Sequence, residues 1–271
     1  MKVALVTGAS SGIGESTAVA LQDAGYTVYA AARRVDRMSS LAARGIKVVK
    51  MDVTDDSSMV SGIAQIIDES GRIDVLVNNA GYGSYGAFED VPLSEGRYQF
   101  EVNVFGLARL VQLTTPHMRA QGSGKIVNVS SIGGKIYEPL GGWYHSTKFA
   151  VEGLSDSLRL ELKPFGIDVV VIEPGAIKTE WAGIAVDNLM KTSGSGAYAS
   201  QAKALASFFS RATDGSEPSV IADVIVRAVK ARRPRTRYAA GYLARPILFL
   251  RRVLPDRAFD AMFLSMIRRF A

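Results

Sequence analysis

Apolar and polar positions fall into two kinds of segment along the 271 residues. Short continuous apolar runs occur at Lys2–Thr7, Tyr26–Ala31, Ile46–Met51, Ile73–Val77, Lys125–Ser130 and Ile167–Glu173. Runs of this length and composition suit strands buried on both faces. Between them lie amphipathic segments near 56–70, 94–119, 144–164 and 219–231, where apolar side chains recur at helical spacing. This alternation predicts an α/β fold: a doubly wound parallel sheet of about seven strands with helices on both faces. No internal repeat or interdomain linker interrupts residues 1–241, which read as one domain. The irregular stretch is 180–217, rich in Ser, Gly and Ala and broken by Lys191–Gly196. It follows the sixth strand, and ligands in such sheets sit beyond the carboxyl ends of strands. The stretch is therefore expected to form a mobile substrate lid.

The last segment departs from this rhythm. From Arg227 to Ala271 twelve Lys/Arg face two Asp, ten net positive charges against six for the whole chain. Phe259, Met262, Phe263, Met266, Ile267 and Phe270 recur at helical spacing with arginines off the stripe, and Ile247, Leu250 and Leu254 form a shorter stripe. Residues 242–271 are thus expected to be a basic helical extension that packs its stripe within the subunit or against another. The alternative is peripheral contact with an anionic membrane. No nucleic-acid motif accompanies the charge. The chain has no cysteine and two histidines, His117 and His145, so disulfides and a protein-built metal site are not expected. A strand starting at residue 2 leaves no room for a signal peptide, and no apolar run is long enough to span a bilayer. A cytoplasmic protein is the expectation.

Candidate chemistry begins at the first strand. Its end runs into Gly8-Ala9-Ser10-Ser11-Gly12-Ile13-Gly14, followed by a helical pattern to Ala24 and a second strand. Glycines at such a turn let backbone approach a pyrophosphate, and the helix N-terminus supplies free N–H groups. This βαβ unit predicts nucleotide binding. Cofactor choice is read at the end of the second strand, where an acidic residue would favour the ribose of NAD. The position is Ala32, followed by Arg33 and Arg34. Guanidinium groups suit a 2′-phosphate, so NADP (as NADPH) is expected and NAD less so. Asp36 is read as a cap of the next helix.

Tyr144 and Lys148 lie one helical turn apart, so on a helix they share a face. A cation beside a phenol favours the phenolate and lowers its pKa toward neutrality. Ser130 and Ser131 both end the strand upstream, and either hydroxyl would hold a carbonyl oxygen. Asn103 interrupts an apolar helical segment, which points to a structural or relay role. His145, about 100° round the helix from Tyr144, reads as structural.

Gly8, Gly12 and Gly14, with Asn78-Asn79-Ala80-Gly81, Asn103, Ser131, Tyr144, Lys148 and Pro174-Gly175, occur in the order and approximate spacing of the short-chain dehydrogenase/reductase family, which the chain resembles from Lys2 to about Gly241. The resemblance implies a Rossmann-type oxidoreductase using NAD or NADP. It implies Tyr144 as catalytic acid/base, Lys148 tuning it and holding the nicotinamide ribose, Ser131 (rather than Ser130, by spacing) orienting the carbonyl, and Asn103 supporting a relay water. It also implies Asp52 at the adenine, and a cofactor set of Gly8, Ser10, Ser11, Gly12, Ile13, Gly14, Arg33, Arg34, Asp52, Val53, Asn79, Ala80, Gly81, Tyr144, Lys148, Pro174, Gly175, Ile177 and Thr179. The expected substrate pocket combines Ser131 with Tyr85, Phe88, Ile132, Tyr137, Trp143 and Trp181. The expectation is an NADP-dependent reductase or dehydrogenase of a hydrophobic carbonyl/alcohol pair, similar to the hydroxysteroid- and retinol-dehydrogenase-like branch, working as a homodimer or homotetramer. The alternatives are a 3-oxoacyl-carrier-protein reductase and a non-catalytic NADP-sensing protein.

Overall fold

The computed structural model describes residues 1–211 and 215–269. Among these, seven strands form one sheet in the order β3-β2-β1-β4-β5-β6-β7. They are β1 (Val3–Thr7), β2 (Thr27–Ala32), β3 (Lys47–Lys50), β4 (Val75–Asn78), β5 (Gly124–Val129), β6 (Ile167–Pro174) and β7 (Arg237–Ala240). All neighbours pair in parallel. The apolar runs that predicted strands are the buried ones: every residue of β1 and β4 is buried. β7 was not among the apolar runs. Its Arg-Tyr-Ala-Ala sequence is half-exposed at the sheet edge, where one face need not be apolar.

Helices cover both faces. Helix α1 (Gly12–Asp23), the short α2 (Ser39–Ala43) and α9 (Pro218–Lys230) bury Ala18, Leu21, Leu41 and Ile225 against one face. On the other, α3 (Asp56–Ser70), α5 (Gly106–Ala120) and α6 (Gly142–Leu162) bury Ile66, Leu110 and Val151. The helix expected over 94–119 is divided. Helix α4 (Leu93–Phe100) passes through a π-helical turn at Glu101–Phe105 into α5. One extra residue per turn changes no composition, so spacing alone does not reveal it.

A third apolar cluster roofs the carboxyl ends of the strands. It joins α7 (Glu180–Ser193), α8 (Ala199–Arg211) and α11 (Asp256–Arg268) to Tyr85, Ile136 and Tyr144. The stretch expected to be irregular is therefore mostly helical, with the Ser-Gly run marking the joint between α7 and α8; residues 212–214 of it lie outside the described residues. Helix α10 (Ala244–Val253) links β7 to α11. Phe259, Phe263 and Ile267 are buried, with Met262 and Met266 packed beside them; Phe270 lies outside the described residues.

Candidate active site

The sheet's order reverses between β1 and β4, and the crevice at such a switch is where open α/β sheets hold ligands. A cavity of about 1050 Å³ opens there and runs beneath α7, α8 and α11.

Its nucleotide-facing end is built from backbone. Gly8 and Gly12 hold φ of +65° and +58°, a region that disfavours side chains. Ser11 precedes α1 with extended backbone and no side-chain cap bond. The first N–H groups of α1 are thus free to donate to an anion. Gly14 does not line the cavity. A Cβ there would stand 2.3 Å from the Gly8 carbonyl oxygen and 2.6 Å from Asn79 Nδ2. It is glycine so that α1 can seat under the turn. Asn79 pins the same turn, donating from Nδ2 to the Thr7 carbonyl at 3.0 Å, while Thr7 Oγ1 accepts from Asn79 N and Ala80 N at 3.1 Å each. Thr7 also lines the cavity and carries no motif signal. Its position at the end of β1 is what could have marked it.

Ser10, Ser11, Ile13, Arg33, Arg34, Asp52, Val53, Ala80, Gly81, Pro174, Gly175, Ile177 and Thr179 all line this cavity. Arg33 donates to the Tyr98 hydroxyl at 2.9 Å and Arg34 to Ser10 Oγ at 3.4 Å. Glu180, at the start of α7, pairs with Arg37 and stands 3.7 Å from Arg34. Neither Arg37 nor Glu180 was expected here; they meet only because α7 folds back over β2. Asp36 caps nothing and sits exposed inside the turn Val35–Met38. Asp52 accepts from Thr54 N at 2.9 Å and Thr54 Oγ1 at 2.8 Å, leaving Asp55 to cap α3. The free helix N-terminus, the glycine cradle and the arginine pair together fit a dinucleotide carrying phosphates.

At the cavity floor Tyr144 and Lys148 project from one face of α6, both buried. Lys148 Nζ donates to the Val129 carbonyl at 3.0 Å and lies 6.0 Å from the Tyr144 ring centre. Ser131, two residues beyond β5, accepts from Gly133 N at 3.0 Å, and its hydroxyl lies close enough to Tyr144 to influence the phenol. Ser130 Oγ has no protein partner and faces Gly134. Tyr144 is held above the ordinary tyrosine range, first by burial, against the opposing influence of the Ser131 hydroxyl and with Glu138 adding to the rise. Burial pushes Lys148 down to about 8, Glu152 opposing. The expectation of a lowered phenol is thus reversed in this geometry, because desolvation outweighs a cation 6 Å from the ring.

Asn103 lies off the cavity, in the π-helical turn. It donates to the Tyr82 carbonyl (2.9 Å) and Thr147 Oγ1 (3.0 Å) and accepts from Tyr82 N (3.0 Å). Those bonds fasten the loop after β4 to α6. His145 Nδ1 donates to the Gly133 carbonyl (2.9 Å) and its Nε2 accepts the Glu138 N–H (3.2 Å).

The apolar end is built from side chains. Tyr85, Ile132 and Trp181 line it, joined by Phe209, Phe263 and Met266, which sequence reading missed. The Trp181 ring stands 5.1 Å from Tyr144 and 5.9 Å from Tyr85. Three expected pocket residues face elsewhere. Trp143, next to Tyr144 but a hundred degrees round α6, stacks on exposed Phe88 at 5.3 Å and packs against Gly96 of α4. Tyr137 turns outward, donating to Asp260 at 2.9 Å and packing on Phe259 of α11.

Known proteins agree with this geometry. Residues 2–189 match the short chain dehydrogenase family. The chain is 36% identical over 265 residues to the probable short-chain type dehydrogenase/reductase VdlC of Helicobacter pylori, covering 96% of each. It is 42% identical over 178 residues to the 3-ketodihydrosphingosine reductase of Bacteroides thetaiotaomicron, covering 66% of this chain and 65% of that one. A short-chain dehydrogenase structure from Streptomyces avermitilis superposes with a TM-score of 0.80 at 36% identity, covering 98% and 97% of the two chains.

Proposed function

The chain belongs to the short-chain dehydrogenase/reductase family, and on that premise we propose an NADP-dependent oxidoreductase that interconverts a hydrophobic ketone or aldehyde and its alcohol. Membership makes it an oxidoreductase using NAD or NADP; related structures hold one or the other. An alcohol dehydrogenase from Thermococcus sibiricus is complexed with 5-hydroxy-NADP (TM-score 0.72, 28% identity, 88% and 95% coverage). A Burkholderia phymatum member holds NAD (0.79, 25%, 93% and 92%). The preference for NADP rests on Arg33 and Arg34 at the cavity wall with no acid at Ala32.

The observation that carries the proposal is the Tyr144 hydroxyl at the floor of the cavity, with Ser131 beside it and Lys148 one turn away on α6. The nicotinamide, when bound, exchanges a hydride with the substrate carbon. Tyr144, kept protonated by burial, gives its proton to the carbonyl oxygen in reduction and takes one back in oxidation. Ser131 and Tyr144 together orient that oxygen and stabilise its developing charge. Lys148 holds positive charge beside the phenol and binds ribose hydroxyls. Asn103 acts as a positioning residue, since its amide is spent on Tyr82 and Thr147. Helices α7 and α8 serve as the lid that excludes water.

The apolar end, and the likeness to a reductase named for a long-chain keto lipid, favour an extended hydrophobic substrate. NADPH and NADH oxidation over a panel from short aldehydes to long-chain and polycyclic ketones tests this. Faster NADPH oxidation with the bulky apolar members is expected. Turnover confined to acyl-carrier thioesters would select the carrier-protein alternative, and nucleotide binding without any turnover the sensing one.

Two partner readings accompany this. Exposed Phe105, Phe149 and Leu160 favour self-association as a homodimer or homotetramer, which sedimentation velocity tests. On α10 and the residue pair before it, Tyr242, Pro246, Phe249 and Val253 are exposed along one helical face flanked by Arg245 and Arg252, beside the cavity mouth formed by Leu243 and Ile247. This favours peripheral contact with an anionic bilayer; among the described residues no helix is long and apolar enough to cross one. Salt-sensitive pelleting with anionic but not neutral vesicles is expected, and its absence removes the reading.

A further inference from the structure

The cavity wall beside Tyr144 carries a carboxylate that no Lys or Arg side chain among the described ones meets. Glu138 stands in the loop before α6, its side chain 11% exposed and facing the cavity. Its Oε1 accepts the Tyr85 hydroxyl at 2.7 Å. The nearest basic group is His145, with Nε2 3.8 Å from the same oxygen. That nitrogen accepts the Glu138 backbone N–H, and Nδ1 faces the Gly133 carbonyl. The pair of contacts fits a ring protonated at Nδ1, which presents Glu138 with a lone pair. No Lys or Arg among the described residues is within ion-pair distance of Glu138. The buried carboxylates elsewhere differ: Asp74 is met by Arg72, Glu152 by Lys135 and Arg237, and Glu173 by Arg237.

A carboxylate without a cation is costly to desolvate, and a purely apolar substrate closing over it would deepen that desolvation. An ammonium group would convert it into a pair with charge-assisted hydrogen bonds. Glu138 also lies close enough to raise the pKa of both Tyr85 and Tyr144, so a cation held there sits near the reacting oxygen. Trp181, Phe209, Phe263 and Met266 continue the cavity as an apolar wall.

We propose that Glu138 determines specificity by pairing with a protonated amine close to the reacting carbon, so that the substrate is an amphiphilic amino ketone or amino alcohol with an extended apolar body. The inference rests on the reading of Tyr144 as the proton donor for its account of turnover, whereas the pairing itself is a matter of binding.

Binding alone therefore tests it. Dodecylammonium and dodecanol, each below its micellar limit, are titrated into the full chain by calorimetry. The wild-type protein should bind dodecylammonium at least tenfold more tightly, on the scale of one hydrogen bond to a charged group. Glu138→Gln keeps an oxygen for Tyr85 and should bind the two alike, with Glu138→Asp recovering part of the preference. Equal wild-type affinities, or an ammonium preference that survives in Glu138→Gln, overturn the proposal. The wild-type comparison decides even if a variant fails to fold. Because no turnover is read, failure here falls on Glu138 alone, and failure of the carbonyl panel falls on the reductase reading.

Discussion

At the nucleotide-facing end of the cavity the wall is largely main chain: Gly8 and Gly12, the free first turn of α1, and, packed beneath them, Gly14 and the Thr7–Asn79 bonds. At the opposite end it is side chain, with Tyr85, Trp181, Phe209 and Phe263 contributed by four separate segments of the chain. A backbone wall tolerates little change and recognises what all dinucleotides share. A side-chain wall can be rebuilt residue by residue, which is how one fold serves many substrates. Tyr144 and Lys148 stand at the boundary, on a helix anchored to the first kind of wall and roofed by the second.

The comparison breaks most sharply at Gly14. Gly14→Ala forces a methyl against the Gly8 carbonyl oxygen and Asn79, and should cost at least about 2 kcal/mol of stability, with NADPH affinity down tenfold or more. Gly153→Ala, exposed on α6 with nothing within 4 Å, should instead add about 0.5–1 kcal/mol. Thermal unfolding and nucleotide titration read both. Next is Arg34→Ala, expected to weaken NADPH by about ten- to a hundredfold, the range of one charged hydrogen bond, while leaving NADH nearly unchanged. If Arg33→Ala alone gives that split, the phosphate partner is Arg33. At the side-chain end, Trp181→Ala should raise KM for bulky ketones by roughly tenfold through lost apolar area, with nucleotide affinity intact. Equal damage to both ligands would mean the two ends are not separable.

The smallest effect concerns the strand end beneath both walls. Burial, reinforced by Glu152, pushes the Glu173 carboxyl up from its ordinary 4.5 to about 7. The folded chain thus keeps a proton that the unfolded chain loses between those values, so this contribution is present below pH 4.5 and lost as pH rises toward 7. Glu173→Gln should flatten the decline by about 1 kcal/mol, measured by denaturant unfolding at pH 5 and pH 7. An unchanged slope would place the titration elsewhere.

What was legible in the sequence follows the same division. The glycine turn could be read because a backbone requirement writes itself as a residue type, and six strands because buried strands must be apolar. Tyr144 and Lys148 could be put on one face because a helical turn fixes their spacing, whereas Ser131 was chosen over Ser130 only through the family resemblance. Trp143 and Tyr137 were misplaced because nearness in sequence to Tyr144 does not say which way a ring faces, and Phe88 follows Trp143 outward by stacking on it. Gly14 was taken for a ligand contact, although its need is for close packing of α1. The π-helical turn that carries Asn103 has the composition of an ordinary helix. Glu180 and Glu138 had no motif at all. Each acquires meaning only from what the fold brings opposite it: two arginines in one case, a tyrosine hydroxyl and an apolar cavity wall in the other.

The central claim is that Tyr144 supplies the proton in a site whose nucleotide wall does not depend on it. Tyr144→Phe, assayed with NADPH and the best ketone of the panel alongside an NADPH titration of the same preparation, tests it most directly. The account predicts turnover reduced by at least about a thousandfold, within the range for a lost general acid, and NADPH affinity within about twofold of the wild type. Turnover within tenfold of the wild type, with the nucleotide still bound, would contradict it.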